Sequence, residues 1–494
     1  MKSKIVRFLP YFALIVAIVL FLILVLVNIS YPIWFDEGYS AYLIKGNFGE
    51  IWHLTSLDVH PPFYYFLLKI WSLIFGDGLI ALRLMSVFFG AVSLVLLFFL
   101  LKHWFGQKPA AFATLLSALS PFLIRYGMEM RMYMVILTIV LSATFLLTLA
   151  IEKKQKIYWI LYAFFVALGM YTHYFTFLVW LAQLFYLVFV LKLPVFKSPI
   201  IPVYLGAILL FLPWVPSLLS QMNAISGGFW IPEVTAVTPL SFLSSVFIFT
   251  EAKNVTGFLL LLFFLFLATY FFIIKKAYQK TEKNARKSFT FLGILVALPP
   301  LFLILVSIIY KPMFVDRYLV PSSILIWSLL GVSLVIIISK IGKNLRALII
   351  ASILIIVSSL CFSISKVLTR EPESYVQNIV SLVQHSADSA PILASDIWVF
   401  FSANIYSTKA TPVFGTIDST FTNGWGAEEP MKYYVDHLPR LESGVYQTLD
   451  DFLAENPTFW YITENPDSLP VSDFSVTASI KTEHFTALKL EALD

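Results

Sequence analysis

Two adjacent carboxylates, Asp36 and Glu37, stand in the segment YPIWFDEGYSAYLI, and a third, Asp58, lies in LTSLDVHPPFYYFLLK two residues before His60 and ahead of the Pro61 and Pro62 pair. Other polar groups recur in short islands: Arg125, Tyr126, Glu129, Arg131 and Tyr133 in LIRYGMEMRMYM, and Lys311, Asp316, Arg317 and Tyr318 in YKPMFVDRYLVPS. A carboxylate can take a proton from a hydroxyl nucleophile, and arginine, lysine or histidine can neutralise a phosphate. One substrate needs both parts, a sugar carried on a polyprenyl phosphate. Its tail requires lipid and its phosphate requires cations. Its leaving phosphate is already a stable anion, so one base and a phosphate clamp suffice.

These islands sit in a chain of 494 residues that is 59% hydrophobic and 13% charged, about half the charged fraction of soluble domains (about 25%). Most of the polypeptide must therefore be dissolved in lipid, and the net charge of +5 is too small for a nucleic-acid binder. The single cysteine, Cys361, excludes an intramolecular disulfide and a cysteine metal cluster. An apolar run from Phe8 to Val27 follows the basic MKSKIVR and has no small-residue cleavage site after it, as an uncleaved signal anchor would. Ten further apolar segments start near residues 80, 109, 132, 157, 173, 199, 257, 289, 319 and 347, so about eleven transmembrane helices are expected.

With the N-terminus inside, the inner loops hold 19 basic residues and the outer loops before the tail hold seven, as the positive-inside rule requires. The apolar stretch Pro61 to Gly76 would invert that order if it crossed, so it reads as an outer-face interfacial helix, with a re-entrant helix as the alternative. Beyond residue 365 the composition changes, and 18 of the 29 acidic residues fall there. Residues 1–365 thus read as a multi-pass domain with outer-face helices at about 36–76. Residues 366–494 read as a soluble extracytoplasmic α/β domain with a helix over Pro372 to Ser386, strands at PILAS, TPVFGTI and TFWYIT, and an amphipathic WVFFSANIYS.

The acidic pair after the first span, DVHPPFYY, the RLMS helix start, EMRMY and the late DRY together resemble the protein O-mannosyltransferase-like branch of the GT-C membrane glycosyltransferases, which includes the lipid A aminoarabinose transferase. The resemblance covers roughly residues 8 to 340 and lies in the order of the motifs. It implies inverting transfer from a polyprenyl-phosphate sugar to a hydroxyl acceptor at the outer face of a bacterial plasma membrane, without a nucleotide-sugar site, a metal or another cofactor. No glycine-rich phosphate loop is found in the chain. Carried onto this sequence, Asp36 matches the first-loop acid used as base or acceptor-orienting group, with Glu37 beside it. His60 takes the position before the prolines where relatives contact the donor phosphate through lysine or histidine. Arg131 and Arg317 match basic positions near that phosphate, with Tyr318 and Tyr64 as hydroxyl donors to it, and Asp58 matches either a second acid or a group on the acceptor side.

Plainer readings stand beside these. Asp36 and Glu37 could be solvated acids at a helix end, His60 a helix-start residue, and Arg131 and Arg317 anchors for lipid headgroups. Arg83, Arg125 and Lys311 are read as structural, and MYTHYF, with Tyr171 and His173, as a packed polar kink. A metal held by Asp36, Asp58 and His60 is possible on residue types alone. A transporter or flippase of an anionic lipid would also want a cationic cavity, but would more typically carry its charges near mid-bilayer, whereas here they sit at the outer ends of spans. A scaffold for envelope polysaccharide would leave Asp36 dispensable.

Overall fold

The computed structural model describes residues 2–224, 231–250, 257–339, 346–371, 375–386, 390–416, 418, 445–446, 448–465 and 473–493. Its contacts divide the chain into two compact units. The first unit comprises Met1–Ile29, Arg83–Pro213 and Trp230–Arg370; the second comprises Ser30–Leu82, Trp214–Phe229 and Glu371–Asp494. The two units do not follow the compositional boundary near residue 365, since Ser30–Leu82 is grouped by contact with the tail.

Among the described residues eight helices are long and apolar enough to cross a membrane, or nine if the bent pair Gln107–Ala118 and Pro121–Gly127 is one span. Of the eleven segments expected, Lys156–Thr172 and Thr176–Val190 form apolar helices shorter than 18 residues. The bend of 58° follows Ser120, whose hydroxyl accepts from the Leu123 amide, and Pro121 opens the new helix.

Within the first unit, small residues let helices touch. A side chain added at Gly331 would come within 2.5 Å of the Ala113 Cα. Beside that contact Ser117 and Ser328 share a hydrogen bond of 2.8 Å, a polar join of the kind that holds helices together where lipid supplies no hydrophobic drive. A second join links three further helices and a fourth: Tyr162 donates to Gln183 (2.7 Å), Gln183 donates to Thr144 (3.0 Å), and the Tyr162 and Tyr204 hydroxyls meet at 3.0 Å.

The second unit is built differently. Asn47 caps the helix Phe48–Leu57 by accepting from the Gly49 and Glu50 amides, and the Glu50 side chain answers at the Asn47 amide, a full capping box. Pro61 and Pro62 precede the helix Phe63–Phe75, which buries Tyr64, Tyr65 and Leu68 and exposes Ile70, Leu73, Ile74 and Phe75. One buried face and one apolar exposed face suit a helix lying in a membrane interface.

Among the described residues the tail forms a six-stranded mixed sheet in the order β3-β2-β1-β4-β6-β5, with β1 Ile392–Ala394, β2 Val413–Thr416, β3 Val445–Tyr446, β4 Thr458–Thr463, β5 Phe474–Lys481 and β6 Thr486–Ala492. The parallel pairs β1–β2, β1–β4 and β2–β3 give way to antiparallel β4–β6 and β5–β6. Leu393, Phe452, Phe459, Tyr461, Leu488 and Leu490 make its core. The expected helix lies over Val376–His385, while Pro372 falls outside the described residues; the expected strands are β1, β2 and β4. WVFFSANIYS becomes the helix Ile397–Asn404, capped by Asp396, whose carboxylate accepts from the Trp398 and Val399 amides at 2.8 and 3.0 Å. Asp396→Ala is expected to cost about 1 kcal/mol, read as a lower melting temperature of the purified protein.

Candidate functional site

The sequence-derived candidates fall in both units. In the second unit Asp36 and Glu37 open the helix Phe35–Leu43, where acids in the first turn favour the helix dipole. Trp34, the residue before it, gives no side-chain cap, and every residue from Glu37 to Leu43 is buried, so tertiary packing rather than capping fixes this short helix. Asp36 keeps part of its surface and Glu37 is 1% exposed. The Ser40 hydroxyl donates to the Asp36 carbonyl at 2.7 Å. One turn further on, burial raises the Tyr42 hydroxyl well above its ordinary pKa, so Tyr42 serves this region as a neutral group.

Asp58 ends the helix Phe48–Leu57, and its carboxylate pairs with His60 Nδ1 at 3.1 Å. That contact orients the imidazole immediately ahead of the prolines. Tyr64 and Tyr65 are wholly buried with their rings 5.3 Å apart. Gln221 anchors the same stretch by donating to the Thr55 carbonyl at 2.7 Å.

In the first unit, the short helix Pro121–Gly127 and the turn after it carry Arg125, Glu129 and Arg131, all at least nine-tenths buried. Arg125 forms an ion pair with Glu129, and Arg370 approaches the same carboxylate at 3.9 Å. The turn is fixed by its backbone, the Arg131 amide donating to the Glu129 carbonyl at 2.8 Å and the Ser86 hydroxyl donating to that same carbonyl. Arg131 is 1% exposed. A guanidinium removed from water at the end of a membrane helix is costly to keep and marks a functional position by default.

Arg317 and Tyr318 lie in the 3-10 turn Asp316–Leu319 that begins the next helix. Tyr126 is within electrostatic reach of Arg125, Asp316, Arg317 and Tyr133, which places the EMRMY and DRY islands together. Tyr318 stacks on Phe175 at 4.5 Å and lies 4.9 Å from the His173 ring. The Phe175 amide donates to His173 Nδ1 at 3.3 Å, so the MYTHYF kink packs against a candidate site residue.

Arg83, read from the sequence as structural, donates from Nη1 to the Ile29 carbonyl at 2.8 Å. Sequence reasoning did not find Arg370, nor the contact that Ser86 makes. Arg370 belongs to the compositional switch into the tail and carries no motif, while Ser86 closes the RLMS motif without its partner being readable from it. Among the described residues no three of His, Cys, Asp and Glu come together in the manner of a metal site.

Residues 59–218 match the model of the dolichyl-phosphate-mannose-protein mannosyltransferase family. The fold is similar to ArnT from Cupriavidus metallidurans in the apo state and bound to undecaprenyl phosphate, over 99% of this chain and 98% of that one, at 13% identity and TM-scores of 0.60 and 0.61. The Archaeoglobus fulgidus oligosaccharyltransferase tethered with an acceptor peptide is similar over 93% of this chain and 69% of its own, at 12% identity and a TM-score of 0.51. No curated protein matches by sequence. Together these comparisons give a fold shared with ArnT over nearly the whole chain and a family match confined to residues 59–218. The chain is a multi-pass membrane protein with the ArnT-like helical architecture and a small C-terminal sheet.

Proposed function

We propose that this protein transfers one sugar from a polyprenyl phosphate to a hydroxyl acceptor at the outer face of a bacterial plasma membrane, with inversion and without a metal or other cofactor. The observation that carries the reading is the likeness, over 99% of the chain, to a structure that holds undecaprenyl phosphate. The residues agree with it in kind. Asp36 takes the proton from the acceptor hydroxyl as that oxygen attacks the anomeric carbon, and the lipid phosphate departs as an anion. Glu37 stands beside Asp36 as the second acid of the pair, and Asp58 orients His60. Arg131 and Arg317 hold the phosphate by charge-assisted hydrogen bonds, with Tyr318, Tyr64 and His60 as further donors. The N-terminus lies in the cytoplasm and the tail outside, following the distribution of basic residues between loops.

A panel of radiolabelled polyprenyl-phosphate sugars, presented to the purified protein in native-lipid vesicles, tests this reading. Release of label from one donor supports it and names the sugar. Movement of intact donors across the bilayer without release from any of them sinks it in favour of a flippase. His60→Ala is expected to raise the donor's KM about tenfold or more while changing kcat less, since a lost charge-assisted bond is worth about 1.5–3 kcal/mol.

A further inference from the structure

The geometry points to a positioning role for the tail: its helix Ile397–Asn404, through Phe401, sets the place of the helix that carries Asp36. The inference rests on the reading of Asp36 as the base, and it concerns contacts made inside the second unit.

The helix Phe35–Leu43 has nine residues and no side-chain cap at its start, too short to hold its shape alone in water. What it packs on is the tail helix. Gly38, two residues after Asp36, lies so close that an added Cβ would stand 2.1 Å from the Phe401 carbonyl oxygen and 3.1 Å from the Ser402 nitrogen. Both of those atoms are backbone, and no rotamer change can make room. Gly38 is therefore the point where two helix backbones touch, and the approach fixes the separation between the base-bearing turn and the tail.

The rings fix the rotation. Phe401 is fully buried and meets Phe35 at 5.5 Å, Tyr39 at 5.4 Å and Tyr42 at 5.3 Å, each edge to face or nearly so. Trp398 adds a contact to Phe35 at 4.2 Å, and Phe400 one to Tyr42 at 5.5 Å. Phe35, Tyr39 and Tyr42 follow helical spacing, so a single face of the Asp36 helix is keyed to the tail. Both ends are tied as well. The Ile33 amide donates to the Tyr406 hydroxyl at 3.4 Å, and the Lys45 ammonium donates to the Asn404 side-chain oxygen. From the other side Tyr65, in the DVHPPFYY segment, meets Tyr39 at 6.3 Å.

A base displaced by about 1 Å can lose about 100-fold in rate. Phe401 acts through this geometry and touches no reacting atom.

The test uses the full-length protein in vesicles, with Phe401→Ala and Gly38→Ala as disruptive variants and Phe401→Met as the volume-conserving one. Phe459→Leu, in the core of the tail sheet, is the control for general destabilisation of the tail. Amide hydrogen exchange over residues 36–43 is expected to speed up about tenfold or more in Phe401→Ala and Gly38→Ala, with the β4 and β6 amides still protected. On the labelled undecaprenyl-phosphate sugar panel, both variants should lose about 10- to 100-fold in kcat with donor KM unchanged, and Phe401→Met should recover most of it. Unchanged exchange at 36–43 in Phe401→Ala overturns the inference, and so does equal acceleration there in Phe459→Leu. If instead Asp36→Asn keeps full turnover, the base reading fails, and the exchange result still judges the contact by itself.

Discussion

Replacing Asp36 by asparagine is expected to lower sugar transfer by about 10²–10⁴-fold, the usual contribution of a positioned general base. The substitution keeps the shape of the side chain and its place in the first helical turn, so the helix Phe35–Leu43 and the packing of its buried residues should persist. Membrane insertion and melting temperature should accordingly stay close to wild type. The loss should appear in kcat and equally in kcat/KM, because abstraction of the acceptor proton belongs to the transition state and not to donor binding. Had Asp36 been only a solvated acid favouring a helix start, asparagine would cost a few tenths of a kcal/mol in stability and nothing in rate.

The second large effect is on stability. Glu129 is 1% exposed and carries the contacts to Arg125 and Arg370, so Glu129→Ala takes their shared carboxylate from one buried guanidinium and one partly buried guanidinium. Breaking a buried pair from one side costs roughly 3–5 kcal/mol. The expected observation is a melting temperature in detergent far below wild type together with poor recovery of folded protein. Arg125→Met combined with Glu129→Leu should recover part of the loss, since it removes a cation with the anion; Arg370 remains, which is why recovery is incomplete. A melting curve unchanged in Glu129→Ala would show that the cluster is solvated and contributes little.

The membrane part of the fold is legible in the sequence because lipid imposes length and polarity on every span. The positions of the long helices follow the apolar runs, and the polar islands stand where those runs break. The short helices Lys156–Thr172 and Thr176–Val190 show where hydropathy alone loses resolution, since a run of that length suits a span or a packed helix equally. In the tail, the strands rich in Trp, Tyr, Phe and Ile were readable. By contrast β5, FSVTASIK, exposes most of its side chains at the sheet edge and carries little hydrophobic signal.

The candidate site residues were picked out by type and order, not by partnership. Asp36, Glu37, Asp58 and His60 are found from their spacing, and the Asp58–His60 pair follows from proximity in the chain. Glu129 with Arg370 and Gly38 with Phe401 join segments hundreds of residues apart, and no local pattern announces such contacts. Gly38 in particular reads in the sequence as an ordinary small residue after two acids. Its meaning is the backbone it touches.

The most direct measurement follows a doubly labelled donor, with ³²P in the lipid phosphate and ³H in the sugar, in vesicles containing wild type or Asp36→Asn. The account predicts that the two labels separate in wild type, ³H leaving the lipid while ³²P stays with it, and remain together in Asp36→Asn. Labels that cross the bilayer together in both proteins, or that separate equally well in both, would contradict it.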